Sequence, residues 1–487
     1  MKHNLIYVCL LFATVLSSCK KNIDVTPQFT LDGSQPLTSL DQAEFVLNGA
    51  YQGFRGDGYF NAIPVAGSGV LQPASYSGLP DMMSDDLVET FEDFPNFKRM
   101  SEWTYTTDEV NVQITFANVY NVISGVNIIL RDIDNIRGDE QRAHLIKAQA
   151  LAIRAMAHFD LMRYFAPEFL RNSNQFGVPY VKTFDATAKP ARNTVKECYD
   201  NIYADLNDAI SNFNDAGGFN DITKITLNAT YAIKARVSLY AGEWQEASDA
   251  ASFLMDRFPL AEADDFAGIW TDESNEEVIW KVSFQSRTDG APYENIFFTV
   301  GNKSLYRPTI EIDNLYDADD IRHDLYIANI GSFNGIPHDP RLSVIKHRGK
   351  NAGAIDEGEG FVDWKVFRVA EMYLIYAEAN FYLGNETAAR EAIDAIRAVR
   401  IISPTLVTES GTALLNVIKT ERRKELAFEG HRFFDLKRWD RTPIDRCDEV
   451  DTPSNICSLS HDSRSWALPI PETEMGANPS MVQNPGY

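Results

Sequence analysis

The chain has 487 residues, with 45 basic against 69 acidic side chains and a formal net charge of -24. That length holds a large core and more than one folding unit, and the 44% hydrophobic and 11% aromatic content excludes a disordered chain. The acidic balance argues against nucleic acid, since phosphate binding needs a basic face, and against electrostatic attraction to an anionic membrane; it reads as a solvated surface.

In chain order, Lys2 and His3 form a polar start, Leu5 to Val15 an apolar run, and Leu16-Ser17-Ser18-Cys19 the close of the segment. This predicts a secretory signal over residues 1–18. Small residues before a cysteine resemble the lipobox of bacterial lipoproteins, which makes Cys19 the lipidation site and the first residue of the mature chain. Acyl chains on one residue hold a protein on a membrane through roughly 0.8 kcal/mol per buried methylene. Elsewhere no run of about 18 to 20 apolar residues is read as a membrane span.

A polar tether ends near Pro27, and Leu40 to Tyr51 reads as a helix. Residues 53–110 read as long loops, 112–257 as mainly helical, and 259–365 as irregular with a strand at Val278 to Val282. Helices return over 367–400 and 412–438, and 443–487 reads as an extended, Pro- and Asn-rich tail. Ala148, Leu151, Ala152, Ala155, Phe159 and Met162 share one apolar helix face, as do Met372, Ile375, Tyr376, Ala379 and Leu383.

Two segments repeat a unit of helix, glycine turn and helix. Gly242 is followed by Ala247, and Gly384 by Ala389. The glycine ends the first helix in a left-handed conformation, and the alanine lets the second pack back. Both resemble the tetratricopeptide hairpin. Their distance along the chain argues against one uninterrupted solenoid.

Chemistry-bearing residues are sparse. Glu421, Glu425 and Glu429 share a helix face, and paired carboxylates are what glycoside hydrolysis needs. Arg422, Arg423, Lys424, Arg432 and Lys437 on the same stretch predict ion pairing, which keeps a carboxylate charged where a general acid needs a raised pKa. There is no Gly-x-Ser-x-Gly elbow, His-Glu-x-x-His or Walker loop. His158 and His431 read as packing residues. Asp313, Asp317, Asp319, Asp320 and Asp324 lack the calcium-loop pattern and read as a solvated turn, with a structural calcium the minor alternative. No cofactor and no zinc site is expected. Cys447 and Cys457 are close enough to pair in an exported chain, and spacing leaves that open.

A longer set of segments carries a family likeness. These are Lys147 to Phe165, Gly177-Val178-Pro179, Asn228 to Tyr240, Arg368 to Ala379, Ile393 to Arg400, Glu421 to Trp439 and the ending Gln483-Asn484-Pro485-Gly486-Tyr487. In that order, from Cys19 to Tyr487, the chain resembles the SusD/RagB family. One departure is that Val112 and Gln113 stand where many relatives begin a helix with Trp, ahead of Tyr120, Ile123 and Asn127. The resemblance implies a mainly α fold of tetratricopeptide-like hairpins with a loop-rich irregular half and a few short strands. It divides the mature chain into 19–230 and 231–487. It also implies a lipid-anchored surface protein of the outer membrane that binds an oligosaccharide, or peptides in the RagB branch, and delivers it to a SusC-like TonB-dependent barrel transporter. Enzymatic activity is not expected; a surface glycosidase and a tetratricopeptide adaptor are the rivals.

Sugars present flat apolar faces rimmed by hydroxyls, which suits aromatic platforms beside Asn, Asp or Arg. Candidates in the first loop region are Tyr76, Trp103 and Tyr105, with Asp85 and Asp86 nearby. In the second irregular region they are Trp270, Tyr293, Asn302, Tyr306 and Arg307. Trp103 is the foremost.

Overall fold

Short polar side chains open most of the long helices. Ser39 caps α1 (Leu40–Arg55), and α2 (Val110–Asp132) follows the loop region. Asp139 caps α3 (Glu140–Phe165), and Thr194 with Glu197 forms a reciprocal capping box on α4 (Val195–Asp215). Thr226 caps α5 (Leu227–Ala241), whose end is turned by Gly242 at φ +75 into α6 (Trp244–Met255). Helix α7 (Val369–Tyr382) repeats the device: Gly384 at φ +80 and the Asn385 cap start α8 (Glu386–Arg400). Helices α9 (Gly411–Glu425) and α10 (Arg432–Arg438) complete the set.

This computed structural model describes residues 33, 35–56, 58–61, 74–92, 97–284, 304–331, 340–347, 349, 362–450 and 456–487. Cys19, Tyr293 and Asn302 lie outside them. Residues Leu37–Tyr487 form one compact unit, and the division placed at 230/231 falls inside α5.

The helices stack in chain order, each against the next from α1 to α8, with α9 closing on α7 and α8. The run is interrupted along the chain, as its spacing led one to expect, yet not in space. Although residues 256–368 intervene, α6 packs directly on α7, so the pile is continuous in space. Small residues allow the close approach: Ala229, Ala232, Ala235, Ala247, Ala250, Ala251, Ala377, Ala379, Ala389 and Ala392 are all buried. Helix α3 lies between α2 and α4 and is buried on all sides from Ala148 to Phe165, rather than on one stripe. Lys437 Nζ donates to the carbonyls of Arg163 (2.8 Å) and Ala166 (2.7 Å), satisfying acceptors at its C-terminal end. Helix α2 with the turn after it is long and apolar enough to cross a membrane by composition, yet it packs between α1 and α3 as a core helix. Val112, at the place of the absent Trp, is fully buried, and Tyr120 and Asn127 donate to the carbonyls of Pro179 and Val181.

The irregular half is built on two-stranded antiparallel ribbons. Strand β1 (Leu87–Glu89), β2 (Val278–Val282), β3 (Tyr306–Pro308), β4 (Ile327–Asn329), β5 (Leu342–Val344) and β6 (Trp364–Arg368) pair as β1–β3, β2–β6 and β4–β5. In the tail, β7 (Ile444–Asp445) pairs with β8 (Ser458–Leu459), and a Cys447–Cys457 disulfide joins the two sides.

A buried charge cluster ties the two halves together. Glu425 meets Arg322 (3.2 Å), Arg368 (3.1 Å) and Arg400 (3.2 Å). Glu277 joins Arg368 and Arg400, Glu429 joins Arg368 and Lys346, and Glu421 joins Arg322 and Arg397. Burial alone would raise these carboxyls, but the surrounding cations outweigh it and hold Glu421, Glu425 and Glu429 below the usual range. They are ion-paired as the sequence led one to expect, but to cations from other segments: Arg422, Arg423, Lys424 and Arg432 pair with Asp435, Asp86, Asp320 and Asp85 instead. None of the three glutamates is poised to donate a proton at neutral pH. In the acidic cluster, Asp320 is occupied by Arg322 and Lys424, and Asp313 by His323.

Three buried histidines, His158, His347 and His431, make the fold acid-sensitive, the last held well below the ordinary imidazole value by burial and the surrounding arginines. His158 donates from Nδ1 to the Arg154 carbonyl (2.8 Å) and accepts the Val181 amide at Nε2 (2.9 Å), a pattern only the neutral ring satisfies. Burial pushes its pKa down to about 3, and that of His347 likewise to about 3. Against unfolded values near 6.5, the folded state binds fewer protons. Their stabilisation is full above pH ~6.5 and lost as pH falls towards 3. The depressed glutamates add a second loss below about 4.5. Burial of Asp81, which raises its pKa, offsets part of this. The melting temperature is therefore expected to decline from pH ~6.5 downward, more steeply below 4.5; a flat profile between pH 7 and 4.5 would refute the assignment.

Candidate ligand-binding face

The aromatic and charged candidates of the loop regions converge, but beneath the surface. Residues 74–92 and 97–105 fold across the ends of α3 and α10, where Tyr76 packs at a tilt between Tyr59 (4.7 Å) and Tyr164 (5.4 Å) with the Arg163 guanidinium over its ring. Tyr105 donates its hydroxyl to the Ser465 carbonyl. Trp103 sits at φ +54, gives its indole N–H to the Met83 carbonyl (2.9 Å), and has the Arg446 guanidinium 4.7 Å above its ring. Asp85 receives both nitrogens of Arg432 at 2.7 Å. Burial would raise its carboxyl, but Arg432 and Arg423 hold it well below the usual range.

The β1–β3 ribbon brings in the rest. Its register sets Val88 opposite Arg307 and Glu89 opposite Tyr306. Tyr306 is fully buried, and Arg307 bonds the Glu449 carboxylate and carbonyl. Trp270 is also buried, under Lys346 and Arg368. In this arrangement Trp103, Tyr105, Tyr76 and Tyr306 offer no ring face to solvent, and Asp85 and Arg307 are ion-paired. The rings lie beneath the surface of this face. Trp103→Ala should accordingly destabilise the protein by about 3–5 kcal/mol, read as a lowered urea midpoint. Wild-type stability with weakened ligand binding would restore it to the contact surface.

Above these rings, loop ends meet. Glu92 takes both Arg341 nitrogens at 2.6 Å and the Ser304 amide at 2.8 Å. Thr90 bonds the Ser304 carbonyl through its hydroxyl, and Ile330 bonds the Arg341 carbonyl. From these residues the chain continues into 93–96, 285–303 and 332–339. A second tie joins the Phe284 amide to Asp363 (2.9 Å), which also meets Lys281 (2.9 Å). Sequence reasoning missed Glu92 and Arg341: they are 249 residues apart, and neither sits in a local motif. Among the described residues no group of three or more His, Cys, Asp or Glu could hold a metal ion.

The comparisons with known proteins agree with this architecture. The SusD family profile matches residues 341–487, and a profile described as starch-binding associating with outer membrane matches residues 69–239. The chain belongs to the SusD/RagB family. SusD-like protein P38 of Formosa agariphila is 22% identical, covering 99% of this chain and 98% of the relative. A SusD superfamily structure from Bacteroides thetaiotaomicron superposes with a TM-score of 0.80 at 25% identity, over 92% of this chain and 100% of that one. A SusD-like carbohydrate binding protein from Bacteroides vulgatus gives a TM-score of 0.75 at 21% identity, over 92% and 98%, a likeness of fold. The mainly α, hairpin-built SusD fold with a few short strands implied by the sequence is therefore shown.

Proposed function

We propose that this SusD-type protein is a surface lipoprotein, anchored to the outer membrane through Cys19, that captures an oligosaccharide and passes it to a SusC-like TonB-dependent transporter without breaking bonds. The family match over both ends of the described chain carries this reading, because one of its two profiles is described as starch-binding associating with outer membrane. The geometry supports it. A rigid helical pile holds a separate ribbon-built face, and the three glutamates best spaced for hydrolysis stay ionised.

Calorimetric titration of the soluble chain lacking residues 1–19, against a panel of neutral hexasaccharides and oligopeptides, tests the ligand. Saturable sugar binding with no product on chromatography is the expected result. Peptide binding alone would move the protein to the RagB branch, and release of shorter sugars would refute a purely binding role. Cys19→Ala in the full chain should abolish [3H]palmitate incorporation and shift the protein from the outer-membrane to the soluble fraction; an unchanged fractionation would refute the anchor.

A further inference from the structure

Seven tryptophans are present. Trp103, Trp270, Trp280, Trp364 and Trp466 are buried in the core. The remaining two, Trp244 and Trp439, are half-buried, and both line the same open groove, of about 430 Å³, on the helical body. It is formed by different residues from the loop-bearing face.

The groove follows from the hairpin construction. Trp244 starts α6 just after the Gly242 turn, and Tyr382 ends α7 just before the Gly384 turn. Because α6 packs on α7, these two corners meet and the rings stack, with centroids 4.2 Å apart and planes at 17°. A contact serving only to join hairpins would bury both rings, yet Tyr382 stays 42% exposed and neighbouring Leu170 65% exposed. Trp439, at the end of α10, is fixed across the groove by its indole N–H on Glu378 (3.1 Å). Polar groups of both signs surround the rings: Glu168 and Asp440 are exposed and Arg441 is half-buried.

A second lobe of about 460 Å³ shares Pro167, Glu168 and Arg441 with the first and runs on to Ser463 and Asn484. Two joined lobes suit an extended ligand over a compact one. Mixed charge at the rim disfavours a strongly anionic or cationic ligand, whereas carboxylate, guanidinium and amide groups beside flat rings match a pyranose, with its apolar faces and hydroxyl rim.

We propose that this groove is a second carbohydrate site, binding a neutral oligosaccharide strand with pyranose rings against the Trp244–Tyr382 pair and Trp439. Its ligand class rests on the glycan-capture reading above; its location does not. The soluble chain labelled with 5-fluorotryptophan gives a test by fluorine NMR, with Trp244→Phe and Trp439→Phe assigning the two groove signals. Maltohexaose, cellohexaose, xylohexaose and mannohexaose are titrated in turn, with calorimetry in parallel. At least one is expected to shift both groove signals saturably, and Tyr382→Ala to weaken that shift about tenfold while the five core signals stay in place. Sugars that bind by calorimetry without moving either groove signal would overturn the second site and leave glycan capture standing. A panel in which nothing binds would overturn both.

Discussion

Glu425→Ala should cost about 3–5 kcal/mol of folding stability, the range for removing one partner of a buried ion pair. Its carboxylate is fully buried and serves three guanidinium groups at once. Arg322 and Arg368 keep other carboxylates when it is lost, Asp320 with Glu421 and Glu277 with Glu429 respectively. Arg400 is left with Glu277. One more positive charge then goes uncompensated in a place water does not reach, and that sets the size of the effect. Glu425→Gln keeps the volume and lacks the charge, so it should be nearly as damaging. Urea unfolding of the three proteins measures this. A loss below about 1 kcal/mol for both variants would mean the cluster is hydrated and does not join the halves.

Gly430→Ala is expected to be comparably severe, for a steric reason. Gly430 lies at φ +78, and an added Cβ would stand 2.6 Å from the Ser77 carbonyl oxygen and 2.9 Å from that of Tyr76. Both obstacles are backbone, so no rotamer change relieves them. The segment bearing Asp81, whose carboxylate accepts the Gly430 amide at 2.7 Å, must shift away. Gly384→Ala is the control: it has the same backbone hand at φ +80, but nothing lies within 4 Å of its Cβ. That variant should lose only the about 1–2 kcal/mol of a left-handed alanine, and Gly430→Ala at least about 2 kcal/mol more, from overpacking. Equal melting temperatures for the two variants would show that the 74–86 segment yields freely.

What is readable from the sequence depends on how local its cause is. The hairpins at Gly242 and Gly384 are local: a left-handed glycine, a cap and an alanine five residues on specify them, and the structure has them at those positions. Strand β2 matches Val278 to Val282 for the same reason, since a short apolar run needs no distant information to be extended. The contact of α6 with α7 has no such signature, because it joins surfaces separated by residues 256–368. The burial of the aromatic candidates was illegible for the same reason. Trp103 looks like a platform from its loop surroundings, but the Met83 carbonyl that takes its indole N–H, and the Arg446 above its ring, are positioned by the tertiary fold. The half-exposed pair Trp244 and Tyr382 sits in segments readable as helix ends, where a ring is expected to be packing and its residual exposure cannot be read.

Because α6 meets α7 directly, the helical pile is continuous in space across the 256–368 excursion, which is tied to it through the buried charge cluster. Residues facing outward on that excursion are relieved of the duty of keeping the body folded. Lengthening a loop there costs little, since each doubling of a flexible connection adds only about 0.6 kcal/mol of closure entropy. The arrangement is one in which that excursion can change in length and sequence while the helical frame stays put.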